Sequence, residues 1–226
     1  MNMKKFTFLV ATTLVQAGMS LTASAQTDTM DFISAQGNNS GNVYVYPYNF
    51  TISGSAVSYP LMCDSFNRKI SNGENWNATT LNVANLNPGN VTGLEVPSAG
   101  IVGYLEASYL FVEEVNAYTD GNSDPKGLYN WAVWDLFTGT DPSGSRMSSS
   151  DETTIQGYLS AAVALGNENQ LTPAQFSNVV IYTPTDTSGS GPQEFFGYST
   201  PVPEPSTLGL VMVGVLGVLT IRRRKA

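Results

Sequence analysis

The spacing of apolar residues changes near Pro97-Ser98, and this change constrains the fold more than any other feature of the chain. Before it, short runs rich in Val, Tyr, Phe and Ile read as strands. Residues 43–52 (VYVYPYNFTI) form one, with Pro47 confining it to an edge or dividing it in two. Residues 55–63 form another, with Gly54 in the turn between them. Residues 76–83 form a third, weaker one. After the change, Ile101, Leu105, Ser108, Val112 and Val115 recur every three or four residues and define one helical face, with Glu106, Glu113 and Glu114 off it. Asp124-Pro125 reads as the cap and first residue of a second helix, carrying Leu128, Trp131, Trp134 and Leu136 and closed by Gly139. A third opens at Ser150-Asp151-Glu152, buries Ile155, Tyr158, Leu159, Ala162 and Val163, and stops at Gly166. Thr172 and Gln175 have the spacing of a capping box. Residues 179–182 and 194–198 return to strand character.

The expected fold is therefore α+β: N-terminal antiparallel strands, a central three-helix segment, and C-terminal strands returning to the sheet. It is not an alternating α/β sheet. No period repeats, so solenoids and propellers are excluded.

Both ends differ from the middle. Residues 1–25 have the layout of a cleavable signal peptide. Lys4 and Lys5 precede an apolar stretch, and Ala23-Ser24-Ala25 fits a small-x-small cleavage site, so that cutting between Ala25 and Gln26 leaves Gln26 as the N-terminus. No Cys follows that site, which argues against a lipoprotein. At the other end, residues 208–221 carry no charge and precede Arg222, Arg223, Arg224 and Lys225. Fourteen residues are short for a bilayer crossing. The basic cluster is expected to stay on the cytoplasmic side, leaving the acidic domain outside. The chain thus divides into a signal peptide (1–25), an exported domain (26–200) and a tail (201–226) with a short transmembrane segment (208–221).

The middle segment keeps only four bases, Arg68, Lys69, Lys126 and Arg146, against seventeen acids, a net charge of −13. Such a surface is a poor partner for nucleic acid. The chain contains no histidine, which removes Ser-His-Asp and Cys-His catalysis and His-ligated metals. Its single cysteine, Cys63, excludes an internal disulfide and a multi-Cys zinc site. At 42% hydrophobic and 11% aromatic, the chain can still bury a core.

The tail carries the most specific motif. Val202, Pro203, Glu204, Pro205, Ser206 and Thr207, then a Gly-rich apolar stretch and a terminal Arg cluster, resemble the PEP-CTERM sorting signal of Gram-negative bacteria, also called the ice-binding protein C-terminal domain. The resemblance covers residues 201–226. It implies recognition by an exosortase, removal of the tail, and export by way of the inner membrane to the cell surface or extracellular matrix, after passage through the Sec translocon and cleavage by signal peptidase. It implies no activity for residues 26–200, which also lack a Thr-x-Thr ladder suited to ice.

Within the middle, Cys63-Asp64-Ser65-Phe66-Asn67, the helix from Trp131 to Phe137 and Val180-Ile181-Tyr182-Thr183-Pro184 resemble a class of small PEP-CTERM cargo proteins, mostly without assigned activity. Residues 59–137 also resemble bacterial thioester adhesin domains, in which a Cys and a Gln condense to an internal thioester. The Gln position, two residues before an Ala, is Asn130 here, one methylene shorter. The alternative to a Cys63–Asn130 thioester is a free, semi-buried thiol acting as a small hydrophobe.

Other constellations carry less. Trp76, Trp131 and Trp134 suggest a sugar-stacking platform or, given their helical spacing, core. Glu113-Glu114 and Asp151-Glu152 supply the two carboxylates a glycosidase needs. They also fit an exposed helix side and a helix start. Residues 120–124 alternate oxygen ligands, but Trp131 stands where an EF-hand has its glutamate. The reading is a non-enzymatic exported surface or matrix protein, with no cofactor, no metal and an extracellular polysaccharide as the candidate partner. The alternatives are a covalent adhesin using Cys63 and, more weakly, a carbohydrate-active protein.

Overall fold

The computed structural model describes residues 26–35, 39–119, 126–140, 142–186 and 191–199. Eight strands, β1 (Gln26–Ala35), β2 (Asn39–Ser40), β3 (Val43–Tyr44), β4 (Tyr48–Ile52), β5 (Tyr59–Cys63), β6 (Asn75–Asn82), β7 (Val179–Pro184) and β8 (Phe195–Tyr198), flank three helices: α1 (Gly100–Thr119), α2 (Leu128–Thr138) and α3 (Ser149–Asn167). Six strands close into an antiparallel barrel in the order β1-β4-β5-β8-β7-β6. The two short strands, β2 and β3, form a separate hairpin through Gly41-Asn42, both at positive φ. The fold is thus α+β, with β7 and β8 returning to the sheet begun by the N-terminal strands.

Strand β1 was not legible in the chain's apolar pattern. It pairs on one side with β4 (Met30 opposite Ile52) and on the other with β6 (Met30 opposite Trp76). Its sequence, QTDTMDFISA, is polar at most positions. What makes it a strand is partly a buried acid. Asp28 accepts hydrogen bonds from the hydroxyls of Ser53 (2.7 Å) and Thr80 (2.5 Å), joining β1 to both sides.

The barrel interior is aromatic. Phe50 meets Phe32 at 5.2 Å, Phe195 at 4.8 Å and Trp76 at 5.6 Å between ring centres. Helix α1 lies outside the barrel over β8, where Phe196 packs against Tyr104 and Phe111, and the three helices pack pairwise. Every residue of β7 is buried. Pro47 falls between β3 and β4, dividing the predicted run in two. The 55–63 run is extended only from Tyr59.

Several helical expectations need correction. Glu106 and Glu114 were placed off the buried face, yet both are buried. The reason is that α1 is sandwiched between barrel and helices. Glu106 fits against α3 only because residue 166 is glycine, where a Cβ would lie 2.1 Å from Glu106 Oε1. Gly166 therefore accommodates a neighbour, and the helix ends one residue later. Helix α2 begins at Leu128, after Gly127 at φ +58, later than expected; the expected cap, Asp124-Pro125, lies outside the described residues. A Cβ at Gly127 would lie 2.5 Å from that of Val45. Gly139, at φ +60, closes α2 as expected. The start of α3 also shifts slightly: Ser148 is its N-cap and accepts from Asp151 N at 3.2 Å.

Candidate functional site

The sequence's candidate pair comes together at the junction of barrel and helices. Cys63 ends β5, and Asn130 sits in the first turn of α2, 67 residues later. Asn130 Nδ2 donates to the Cys63 carbonyl at 2.7 Å, and Asn130 Oδ1 accepts from Tyr46 N at 3.0 Å. Cys63, Asn130 and Tyr46 are all buried. The Asn130 amide thus spends both its ends on backbone groups, tying the end of β5 and the approach to β4 onto α2. Such groups are costly to leave unpaired in a dry interior.

The Cys63 sulfur accepts from Ser65 N at 3.3 Å and faces the Ser65 carbonyl at 3.5 Å. Burial, followed by the neighbouring Asp64 carboxyl, pushes the thiol well above its ordinary range, outweighing the Ser65 backbone and the Trp134 indole, which favour the thiolate. The sulfur is therefore a thiol, not a poised nucleophile.

Beyond Cys63 lies a buried carboxylate network that the sequence did not reveal. Glu194 Oε1 accepts from the Tyr104 hydroxyl at 2.7 Å, and its Oε2 from Glu95 N at 3.1 Å and from Thr183 Oγ1. Glu95 in turn accepts from Glu194 N at 3.0 Å and pairs with Arg68 at 2.7 Å. Asp64 accepts from the Ser65 hydroxyl at 2.9 Å, while its other oxygen has no hydrogen-bond partner. Burial first, then the Glu194 carboxylate, pushes Asp64 well above the usual carboxylate range, so it is held protonated. Glu95 is raised too, by burial against the opposing pull of Ser65 and Arg68. These acids lock residues 64–68, the 95 turn, α1 and β8 together. The one available signal was Cys63-Asp64, an acid directly after an apolar strand.

The remaining candidates disperse. Trp131 and Trp134 are core residues in edge contact at 4.9 Å, and Trp76 packs against Phe50 and Phe195 in the barrel, so the three form no common platform. Asp151 is engaged by Lys126 at 2.7 Å and Glu152 by the Ser143 hydroxyl, both at the start of α3, while Glu113 and Glu114 belong to α1. Gln26 is the first residue of β1. Ala25, the 120–124 loop, the motif Val202–Thr207, the 208–221 segment and Arg222–Lys225 lie outside the described residues. Among the described residues, no helix is long and apolar enough to cross a membrane.

Residues 201–225 match the family model of the PEP-CTERM protein-sorting motif. No curated protein matches the chain. Two solved structures resemble it. One is the N-terminal domain of the Streptococcus pyogenes pilus tip adhesin Cpa, at TM-score 0.47 and 12% identity over 77% of this chain and 93% of that one. The other is the N-terminal thioester domain of the fibronectin-binding protein SfbI from Streptococcus pyogenes, at TM-score 0.43 and 11% identity over 80% and 97%. The tail match marks the chain as a protein for export and membrane-associated sorting.

Proposed function

We propose that this chain is a non-enzymatic surface or matrix protein of a Gram-negative bacterium. It is translocated through Sec, trimmed after Ala25, held briefly in the inner membrane by residues 208–221, and released by an exosortase acting at its tail. The observation that carries this reading is the sorting-motif match over residues 201–225. A cut after Ala25 leaves the described β1 pairs intact, from Gln26 opposite Thr80 onward. The non-enzymatic part rests on the core chemistry. Cys63, Asp64, Glu106, Glu114 and Glu194 are buried within the fold instead of lining a cleft, and the thiol is held protonated.

The test is mass spectrometry of the exported protein. In a host with the matching exosortase the N-terminus is Gln26 and no peptide from Leu208 onward is found. A mature surface protein that retains Leu208 onward, or that begins at Met1, overturns the sorting or the cleavage reading respectively. In a host without the protease the protein stays in the inner membrane.

A second reading, a covalent adhesin, has one observation in its favour: the 2.7 Å contact between Asn130 Nδ2 and the Cys63 carbonyl. The reaction would join Cys63 Sγ to Asn130 Cγ, break the amide C–N bond, and release ammonia carrying the thiol proton. It would also remove the hydrogen bond that Asn130 Nδ2 now donates. The expected result is an intact mass with no ammonia lost and one thiol titratable after unfolding. A mass one ammonia short, with methylamine adding at Asn130, establishes the adhesin instead.

A further inference from the structure

A cleft of about 440 Å³ opens beside the Cys63 junction, between the β2–β3 hairpin, β4, the 66–70 segment and α2. That volume lies within the range of about 300–1,000 Å³ typical of ligand sites. Its charge is the reverse of the domain's. Three of the four bases of residues 26–200, Arg68, Lys69 and Arg146, line it, and among the described residues no carboxylate does. The fourth base, Lys126, is elsewhere, paired with Asp151.

The three cations differ in availability. Arg68 is anchored to Glu95 and donates to the Pro192 carbonyl at 3.2 Å. Arg146 donates to the Gly41 carbonyl at 3.1 Å and sits 5.3 Å over the Phe66 ring. Lys69 is exposed. Among the described residues neither Lys69 nor Arg146 has a carboxylate partner. The apolar lining is Val43, Ile70 and four rings, of which Tyr44 is exposed, Phe66 half-buried, and Tyr48 and Trp134 buried. One polar group is left over. Gln193 is 6% exposed and its Nε2 donates to the Ser65 carbonyl at 2.9 Å, while its Oε1 has no hydrogen-bond partner.

We infer that this cleft binds an acidic saccharide, through one or two carboxylate-bearing sugar residues. The cations take the carboxylate, which charge-assisted hydrogen bonds favour. The exposed Tyr44 ring takes an apolar face of the sugar. The unpartnered Gln193 Oε1 needs a donor, which a sugar hydroxyl beside the carboxylate supplies and a carboxylate alone does not. The surrounding charge of −13 selects against a long polyanion, whose further charges would be repelled. The site is therefore fitted to a chain end or a sparsely charged polysaccharide, the kind of polymer met outside the cell.

The test is calorimetric titration of the purified full-length protein in detergent with digalacturonate. Parallel arms use neutral digalactose, an acetylated Glu-Glu dipeptide and a short DNA strand. Saturable binding of digalacturonate alone is expected, weakened at about 1 M salt, where charges screen within about 3 Å. The Lys69→Gln/Arg146→Gln pair should weaken it about tenfold or more, because both charge-assisted contacts are lost. Equal binding of digalactose, the dipeptide or DNA overturns the ligand class. Absence of saturable binding, or an unchanged affinity in the double variant with native unfolding behaviour, overturns the site. Neither result bears on tail processing, which is read by mass spectrometry, so the sorting proposal fails or survives separately.

Discussion

Residues 63–70 serve two adjoining regions built on opposite terms. At the Cys63–Asn130 junction Cys63, Asn130 and Tyr46 are buried, and the Asn130 amide bonds backbone through both its oxygen and its nitrogen. A few residues on, Lys69 and Arg146 line open space. The first region is a clamp, where removing an atom leaves a polar group unpaired. The second is a receptor, where removing the exposed Lys69 or Arg146 charge breaks no ion pair among the described residues. Burial separates the two roles more clearly than residue type does. The most polar-looking candidate, Asn130, is structural, and the bases that composition marked only as scarce form the receptor.

The sharpest way to break this comparison is Asn130→Ala. It removes the hydrogen bonds Asn130 makes to Tyr46 N–H and to the Cys63 carbonyl, and should cost about 2–5 kcal/mol, since each buried group that loses its bond costs about 1–3. Chemical denaturation measures it. A loss under about 1 kcal/mol would mean the junction is not a clamp. Cys63→Ala removes only a small buried side chain. It should fold and lose at most about 1–2 kcal/mol by the same measurement.

Between clamp and cleft, Asp64 supplies a pH test. Its folded-state pKa is raised, so the folded state binds the proton more tightly than the unfolded chain does. Its contribution is complete below the ordinary carboxylate value of about 3.9. It is lost as pH rises toward the elevated folded value, because the folded state then binds more protons than the unfolded one. Thermal stability should therefore fall as pH rises from about 4, and Asp64→Asn should flatten that slope. An unchanged slope in the variant would assign the effect to the general charge of −13 instead. The smallest stability effect should come from the cleft. Lys69→Gln/Arg146→Gln should shift unfolding by no more than about 0.5 kcal/mol per substitution, as exposed changes do, while weakening digalacturonate binding about tenfold or more.

Much of the fold was legible because local pattern reported it. The helix from Gly100 to Thr119 followed from apolar spacing, the Thr172–Gln175 box formed as read, and Gly139 took its left-handed cap. Strand β1 escaped because its place depends on hydroxyl partners at Ser53 and Thr80, far along the chain. Glu106 and Glu114 escaped because a one-sided helical pattern does not show that a helix is covered on two sides.

The sequence by itself determined what is written in contiguous residues: the sorting motif of the tail, the switch from strand to helix near Pro97, and a composition without histidine. These are local features, readable without knowing what lies across space. The tertiary structure decided the rest. Packing of α2 on the barrel brings Asn130 to Cys63 and Arg146 to Arg68 and Lys69 around one cleft, and the β5–β8 pairing sets Asp64 beside Glu194. Each of these depends on which distant segments share a buried or half-buried volume, and burial is what turns an asparagine into a clamp and a carboxylate into a held proton.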